Sequence, residues 1–235
     1  MKTEHLDLIT LYRRYVVWEA VSLLRHDVRN KLATVRNAAF YVRKRVEKEA
    51  AALLEKDKRV ALFLEMIGKE LEGADQLISD RIPSIGNDPE AALIDVAPAV
   101  DDALAALPIA PGVTVRRADK GVAVLADRGE LAVALFCLLE NALESVTAAG
   151  GCVAIGAIAR GDRIAIEIAD DGPGLAFEPT RALEQFVSSK PGRLGLGLPI
   201  ARRIATRAHG TLELARAGER GARATLELRG AETVS

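Results

Sequence analysis

In "RHDVRNKL", residues 25–32, a histidine lies beside an aspartate, with an asparagine four positions on. A neutral imidazole is a nucleophile at one nitrogen when the other keeps its proton and is held by an acceptor. Asp27 is a candidate acceptor for His26, although an adjacent helical residue is not ideally placed for it. Asn30, one helical turn on, shares the histidine's face. Without such neighbours an exposed histidine is an ordinary surface residue. Three further stretches lie in the second half. "IADDGPGL", residues 168–175, closes a strand, where Asp-Asp-Gly-Pro-Gly is also a common turn. "LLENALES", residues 138–145, puts Asn141 inside an apolar helix, which is costly unless its amide has a partner. Either it is a hydrogen-bonded core amide or it offers an oxygen to Mg²⁺, which takes few protein oxygens beside phosphates. "SSKPGRLGLGLPI", residues 188–200, sets glycines before a helix N-terminus, freeing backbone N–H groups for an anion, and Lys190 adds a point charge. The plainer alternative is a loop leading into a helix.

These residues need elements to hold them. From about Leu6 to Ile82 there is no proline, and only Gly68 and Gly73 weaken a long helical pattern. Val21, Leu24, Val28, Leu32, Val35, Ala39, Val42 and Val46 form a heptad-like seam, and Val60, Leu64, Ile67, Leu71, Ala74 and Ile78 a second. His26 is two residues from both Leu24 and Val28, so it points away from the seam into solvent. The charged stretch "EKEAAALLEKDK" between the seams is expected to hold the reversal. Two stripes cannot close a good core alone, so a four-helix bundle made by a dimer is the economical solution.

Pro83, "SIGNDP" and Pro89 mark a linker. Beyond it the period changes. "ALIDV", "VTVRRA" and "GVAVLAD" read as short strands, with helices near 97–107 and 130–147. "CVAIGAIAR" and "RIAIEIADD" form a hairpin through Gly161-Asp162. A helix near 198–208 has Pro199 in its first turn and ends at His209-Gly210, and "TLELARA" with "ARATLELR" closes the chain. The second half is therefore an α/β sandwich, with helices on one face of a mixed sheet.

The bulk properties exclude more than they assert. A net charge of −1 over 235 residues gives no case for nucleic acid or an anionic membrane as partner. Cys137 and Cys152 lack metal-ligand spacing, which favours a reducing compartment. The start carries no signal-peptide pattern, and Arg13, Arg14 and Glu19 interrupt the apolar stretch 8–24. A soluble cytoplasmic protein without membrane insertion is expected.

Taken in order, the four stretches resemble the kinase core of bacterial two-component sensor histidine kinases, from about residue 20 to 230. "HDVRNKL" is similar to the family's H-box, "LLENALES" to its N-box, "DDGPGL" to G1, "ALEQFVSSKPG" to F and "GRLGLGLPIA" to G2. The resemblance implies a dimerisation and phosphotransfer hairpin over 1–83, a linker over 84–92, and a Bergerat-type ATP-binding domain over 93–235. It implies His26 as phosphoacceptor, Asp27 as its acidic neighbour, and Asn30 as a residue aiding dephosphorylation of the partner. Asn141 matches the Mg²⁺ ligand and Asp170 the acceptor of the adenine amino group. Gly172 and Gly174 match glycines near the base, and Lys190, Gly195 and Gly197 residues around the phosphates. Lys31 stands where the H-box usually has proline, Cys137 where asparagine is frequent, Gln185 for a common proline and Arg193 for a glycine that opens the lid run. None of these removes a group the chemistry needs.

The expectation is thus an ATP- and Mg²⁺-dependent histidine kinase. It would act as a homodimer and pass its phosphoryl group to a response-regulator receiver domain. Its input would come from a separate sensor protein, unless the chain is part of something longer. Two rivals stand beside it: a dimeric phosphotransfer scaffold that no longer uses ATP, and a dedicated regulator phosphatase needing Asn30 but not His26.

Overall fold

The computed structural model describes residues 7–49, 58–81, 90–119, 121–146, 150–218 and 220–230. The expected linker over 84–92 and the reversal after the first seam lie mostly outside the described residues. The chain divides into two compact units, one of Val17–Ile85 and one of Gly86–Ser235 together with the chain up to Val16. The hairpin expected over 1–83 therefore gives the first two turns of its opening helix to the other unit.

That helix, α1, runs Leu8–Glu49, and α2 runs Lys58–Arg81. Asp7 starts α1 by accepting from the Thr10 backbone N–H at 3.2 Å and the Thr10 hydroxyl at 2.6 Å, satisfying donors the first turn leaves open. In the first unit Val28, Leu32, Ala39 and Val46 of α1, and Val60, Leu64, Leu71 and Ala74 of α2, are half-buried. Leu24 (62 %), Val35 (50 %) and Val42 (50 %) from the same seam are largely exposed, as are Phe63 and Met66 on α2. Arg29 of α1 reaches Asp75 of α2 at 3.2 Å.

In the second unit, β1 (Ala92–Asp95) pairs antiparallel with β3 (Ala123–Ala126). A five-stranded sheet holds β2 (Val113–Ala118), β4 (Gly151–Arg160), β5 (Arg163–Asp170), β7 (Ala222–Arg229) and β6 (Thr211–Arg216) in that spatial order. Only β2 and β4 are parallel; the remaining neighbours are antiparallel. The helical layer is α3 (Val96–Ala105), α4 (Arg128–Val146), the short α5 (Pro179–Ala182) and α6 (Gly197–Arg207). The sequence pattern anticipates each of these except α5.

The central helix α4 packs against α3, α6 and strands β4 and β5. Leu131, Leu135, Leu138 and Leu139 lose nearly all their surface there. Each such side chain contributes about 1.5–3 kcal/mol relative to exposure, so this layer dominates the unit's stability. Asp127 caps α4 by accepting from the Glu130 N–H at 2.9 Å.

The first turns of α1 belong to this packing. Leu8 and Tyr15 are buried, and the Tyr12 ring lies 4.9 Å from that of Phe136 on α4, at a tilted angle favourable for aromatic pairs. The Tyr15 hydroxyl donates to Glu130 Oε1 at 3.0 Å, and Arg207 at the end of α6 approaches the same carboxylate at 3.2 Å. Burial raises the Glu130 carboxyl's pKa, while Tyr15 and Arg207 oppose the rise.

Candidate functional site

The seam geometry carries His26 to the exposed side of α1. Its side chain is 74 % exposed, with Nδ1 at 3.6 Å from Asp27 Oδ1 and 3.2 Å from the Asn30 amide nitrogen. Nδ1 thus faces an acceptor on one side and a donor on the other. With the proton on Nδ1 the Asn30 amide must turn its oxygen toward the ring, Asp27 places negative charge beside it, and Nε2 keeps its lone pair for an electrophile. The three residues that the sequence groups by spacing share one open helical face.

The second constellation is built around the end of β5. Asp170, its last residue, is 7 % exposed. Its Oδ1 accepts from the backbone N–H of Gly172 at 3.0 Å and of Ala222 at 3.4 Å. Two amides hold the carboxylate in place. The next strand comes close because of a glycine: Gly221 sits at φ 88°, and a Cβ there would collide with the Asp170 carbonyl. Gly174 (φ 89°) lies against Gly221, and Gly172 fits between Asp170 and Ser145 of α4. Asp171 turns the other way and accepts from the Cys152 N–H at 2.9 Å.

Asn141 sits on the exposed edge of α4, half-buried. Its Oδ1 accepts from Lys190 Nζ at 2.8 Å, and the same ammonium reaches Glu144 Oε2 at 2.9 Å. Burial lowers the Lys190 pKa, with Glu140 and Asp170 pulling the other way. Arg193 pairs with Glu140 at 3.1 Å and also with Glu144. Gly195 (φ 66°) closes the loop: its carbonyl accepts from the Phe186 N–H at 3.1 Å, and a Cβ would stand 2.5 Å from the Val187 carbonyl oxygen. Gly197 is the first residue of α6, whose N-cap Leu196 supplies no side-chain hydrogen bond to the first turn.

An asparagine oxygen already turned toward a cation fits the hard-oxygen chemistry of Mg²⁺. Among the described residues no group of three His, Cys, Asp or Glu could hold a metal, so Mg²⁺ here would draw most of its ligands from phosphates and water. The sequence reading brings Asn141 and Lys190 into one site, and the structure puts them in contact. It overlooked Glu140 and Glu144, although both stand in the stretch it singled out and lie one helical turn apart. It also overlooked Tyr12, Tyr15 and Glu130, for which the only signal was two tyrosines in a chain poor in aromatics.

The buried carboxylate at a strand end, the asparagine on the facing helix and the glycine-flanked cationic loop belong to one class of nucleotide-binding fold. Residues 126–232 match the family of histidine kinase-, DNA gyrase B- and HSP90-like ATPases. Within the family, the similarity runs to sensor histidine kinases. The chain is 28 % identical over 236 residues to the sensor protein ChvG of Agrobacterium fabrum, covering 88 % of this chain and 38 % of ChvG. It is 25 % identical over 228 residues to sporulation kinase B of Bacillus subtilis, covering 94 % and 52 %. The full-length ShkA structure, in complex with AMPPNP, superposes with a TM-score of 0.56 at 24 % identity, over 92 % of this chain and 47 % of that one. The chain therefore spans about 38 % and 52 % of the curated relatives it matches here.

Proposed function

We propose that this chain is an ATP-dependent protein histidine kinase that autophosphorylates on His26 and passes the phosphoryl group to an aspartate of a response-regulator receiver domain. The supporting observation is the site shared by Asp170, Asn141 and Lys190: a base acceptor, a cation ligand and a phosphate-side charge, held within an ATPase-family domain. Asp170 accepts from the adenine amino group, and Gly172 and Gly174 let the backbone approach the base. Lys190 and the amides around Gly195 and Gly197 meet the phosphates. Asn141 holds Mg²⁺, which supplies neutralisation of phosphate charge when bound. On the hairpin unit, Asp27 holds the Nδ1 proton of His26. Nε2 then forms the bond to the γ-phosphorus as the bond to the leaving β-phosphate oxygen breaks, and ADP departs. In the second step the regulator's carboxylate oxygen takes the phosphoryl group and the imidazole is regenerated. Asn30, in hydrogen-bond reach of His26, positions water for the reverse traffic, hydrolysis of the regulator's acyl phosphate.

This reading divides the chain into hairpin, linker and ATP-binding domain at 1–83, 84–92 and 93–235, with Leu8–Val16 packed on the last. It works as a homodimer in the cytoplasm. No helix among the described residues is long and apolar enough to cross a membrane. Incubation with Mg²⁺ and γ-labelled ATP tests it: the label should be lost in acid and survive alkali, as a phosphoramidate is and a phosphoserine is not. Acid-stable label would overturn the assignment. No affinity for ATP would favour the scaffold instead.

The exposed seam carries the dimer. Leu24, Val35 and Val42 leave an apolar stripe that a second hairpin would cover. Light scattering at micromolar concentration should give twice the chain mass. Val28→Asp should give monomers, because the dimer would bury an unpaired carboxylate.

A further inference from the structure

Lys190 and Arg193 ride on one compact turn. The Arg193 N–H donates to the Lys190 carbonyl at 3.3 Å, and the Ser188 hydroxyl both accepts from the Lys190 N–H at 3.1 Å and donates to its carbonyl at 3.2 Å. Left-handed glycines, Gly192 (φ 75°) and Gly195 (φ 66°), follow the lysine. The two cations are thus carried on one backbone turn. Both are held by one residue of α4. Glu144 gives Oε2 to Lys190 at 2.9 Å and Oε1 to Arg193, while Glu140, one turn earlier, meets Arg193 alone of the two at 3.1 Å. No step of the phosphoryl transfer above uses Glu144.

We propose that Glu144 is an electrostatic latch, holding the Lys190–Arg193 turn against α4 and competing with a nucleotide's phosphates for both cations. The proposal rests on the nucleotide reading of this site and adds a determinant of its affinity. A phosphate chain meeting Lys190 brings negative charge beside the Glu144 carboxylate, and like charges at such separation repel strongly in a half-buried site. Occupancy therefore requires Lys190 to exchange a carboxylate for a phosphate, and the two partners cannot both be close. The penalty grows with the number of phosphates, so the latch discriminates among adenine compounds by charge rather than by base. It also sets a threshold: at low ATP the turn stays on Glu144, next to the Asn141 oxygen it masks.

Calorimetric titration of the full chain with adenosine, ADP and ATP, each with Mg²⁺, tests this against Glu144→Gln. The amide preserves size and removes the charge. ATP should bind about 3- to 10-fold more tightly to the variant, ADP by less, and adenosine equally, which also certifies the fold. The gain should shrink as salt is raised. Glu140→Gln, which leaves the Glu144 contacts to both cations in place, should give a smaller gain in ATP affinity. Unchanged or weaker ATP binding by Glu144→Gln, or an equal change for adenosine, would overturn the latch while leaving the nucleotide site intact. A wild-type chain that binds none of the three would overturn the nucleotide reading and the latch with it.

Discussion

Replacing His26 with alanine should abolish incorporation of label from γ-labelled ATP and leave nucleotide affinity unchanged. The expectation follows from the separation of roles: His26 lies on the Val17–Ile85 unit, whereas Asp170, Asn141 and Lys190 lie on the other. The alanine removes the imidazole nucleophile, and an exposed helical alanine costs no stability, since it is the best helix former. The loss should be complete within detection, at least about 10³-fold, because transfer at this position depends on the imidazole lone pair. Asp27→Asn provides the graded companion. It keeps the shape, withdraws the charge that favours a protonated Nδ1, and should slow labelling without moving ATP affinity. Asn30→Ala should leave labelling largely intact and slow dephosphorylation of the regulator. Label that persists in His26→Ala moves the phosphoacceptor elsewhere in the chain.

The second large effect is expected at Asp170. Asp170→Asn should weaken ATP binding about 10- to 100-fold, the range for losing a hydrogen bond to a charged group. The cause is geometric as well as electrostatic. The Gly172 and Ala222 amides point at Oδ1, so an asparagine must turn its own oxygen toward them and its NH₂ toward the base. A donor then faces the adenine amino group, and neither can accept. GTP, which carries a carbonyl at that position, should bind poorly to the wild type and comparatively better to Asp170→Asn. Equal affinity of the wild type for ATP and GTP would show that Asp170 does not read the base.

Much of this architecture is legible from period alone. Alternating residues fix β4 and β5, the Gly161-Asp162 turn fixes their register, and β5 then delivers Asp170 to its end. The helical seam likewise fixes the outward direction of His26. These features depend on local pattern, which sequence expresses directly. The ion-pair network on α4 depends on which face of a helix a distant loop returns to, and nothing local encodes that. Glu140 and Glu144 therefore read as ordinary charged helix positions. Asn141 was visible because a polar amide in an apolar run violates a local rule; the glutamates violate none. The tyrosines of α1 fit its helical pattern as well as any surface residue would, and their burial becomes visible only with α4 in place. The short α5 falls outside the pattern for a similar reason, since four residues are too few to show a period.

The Tyr15–Glu130 bond joins residues 115 apart in sequence, and Arg207 is later still. During synthesis the opening turns of α1 leave the ribosome well before α4 and α6, yet the surface that accepts them exists only after α6 has been made. Chain closure over such a span is slow and cannot be rewarded early. Until then Leu8, Tyr12 and Tyr15 remain uncovered on the nascent chain, a hydrophobic cluster of the kind chaperones bind. The unit built on α4 is consequently not a module that can be cut out at Gly86 and moved to another protein intact. A chimaera that keeps only Gly86 onward would expose the Phe136 face of α4, and one that also carries Leu8–Val16 would not.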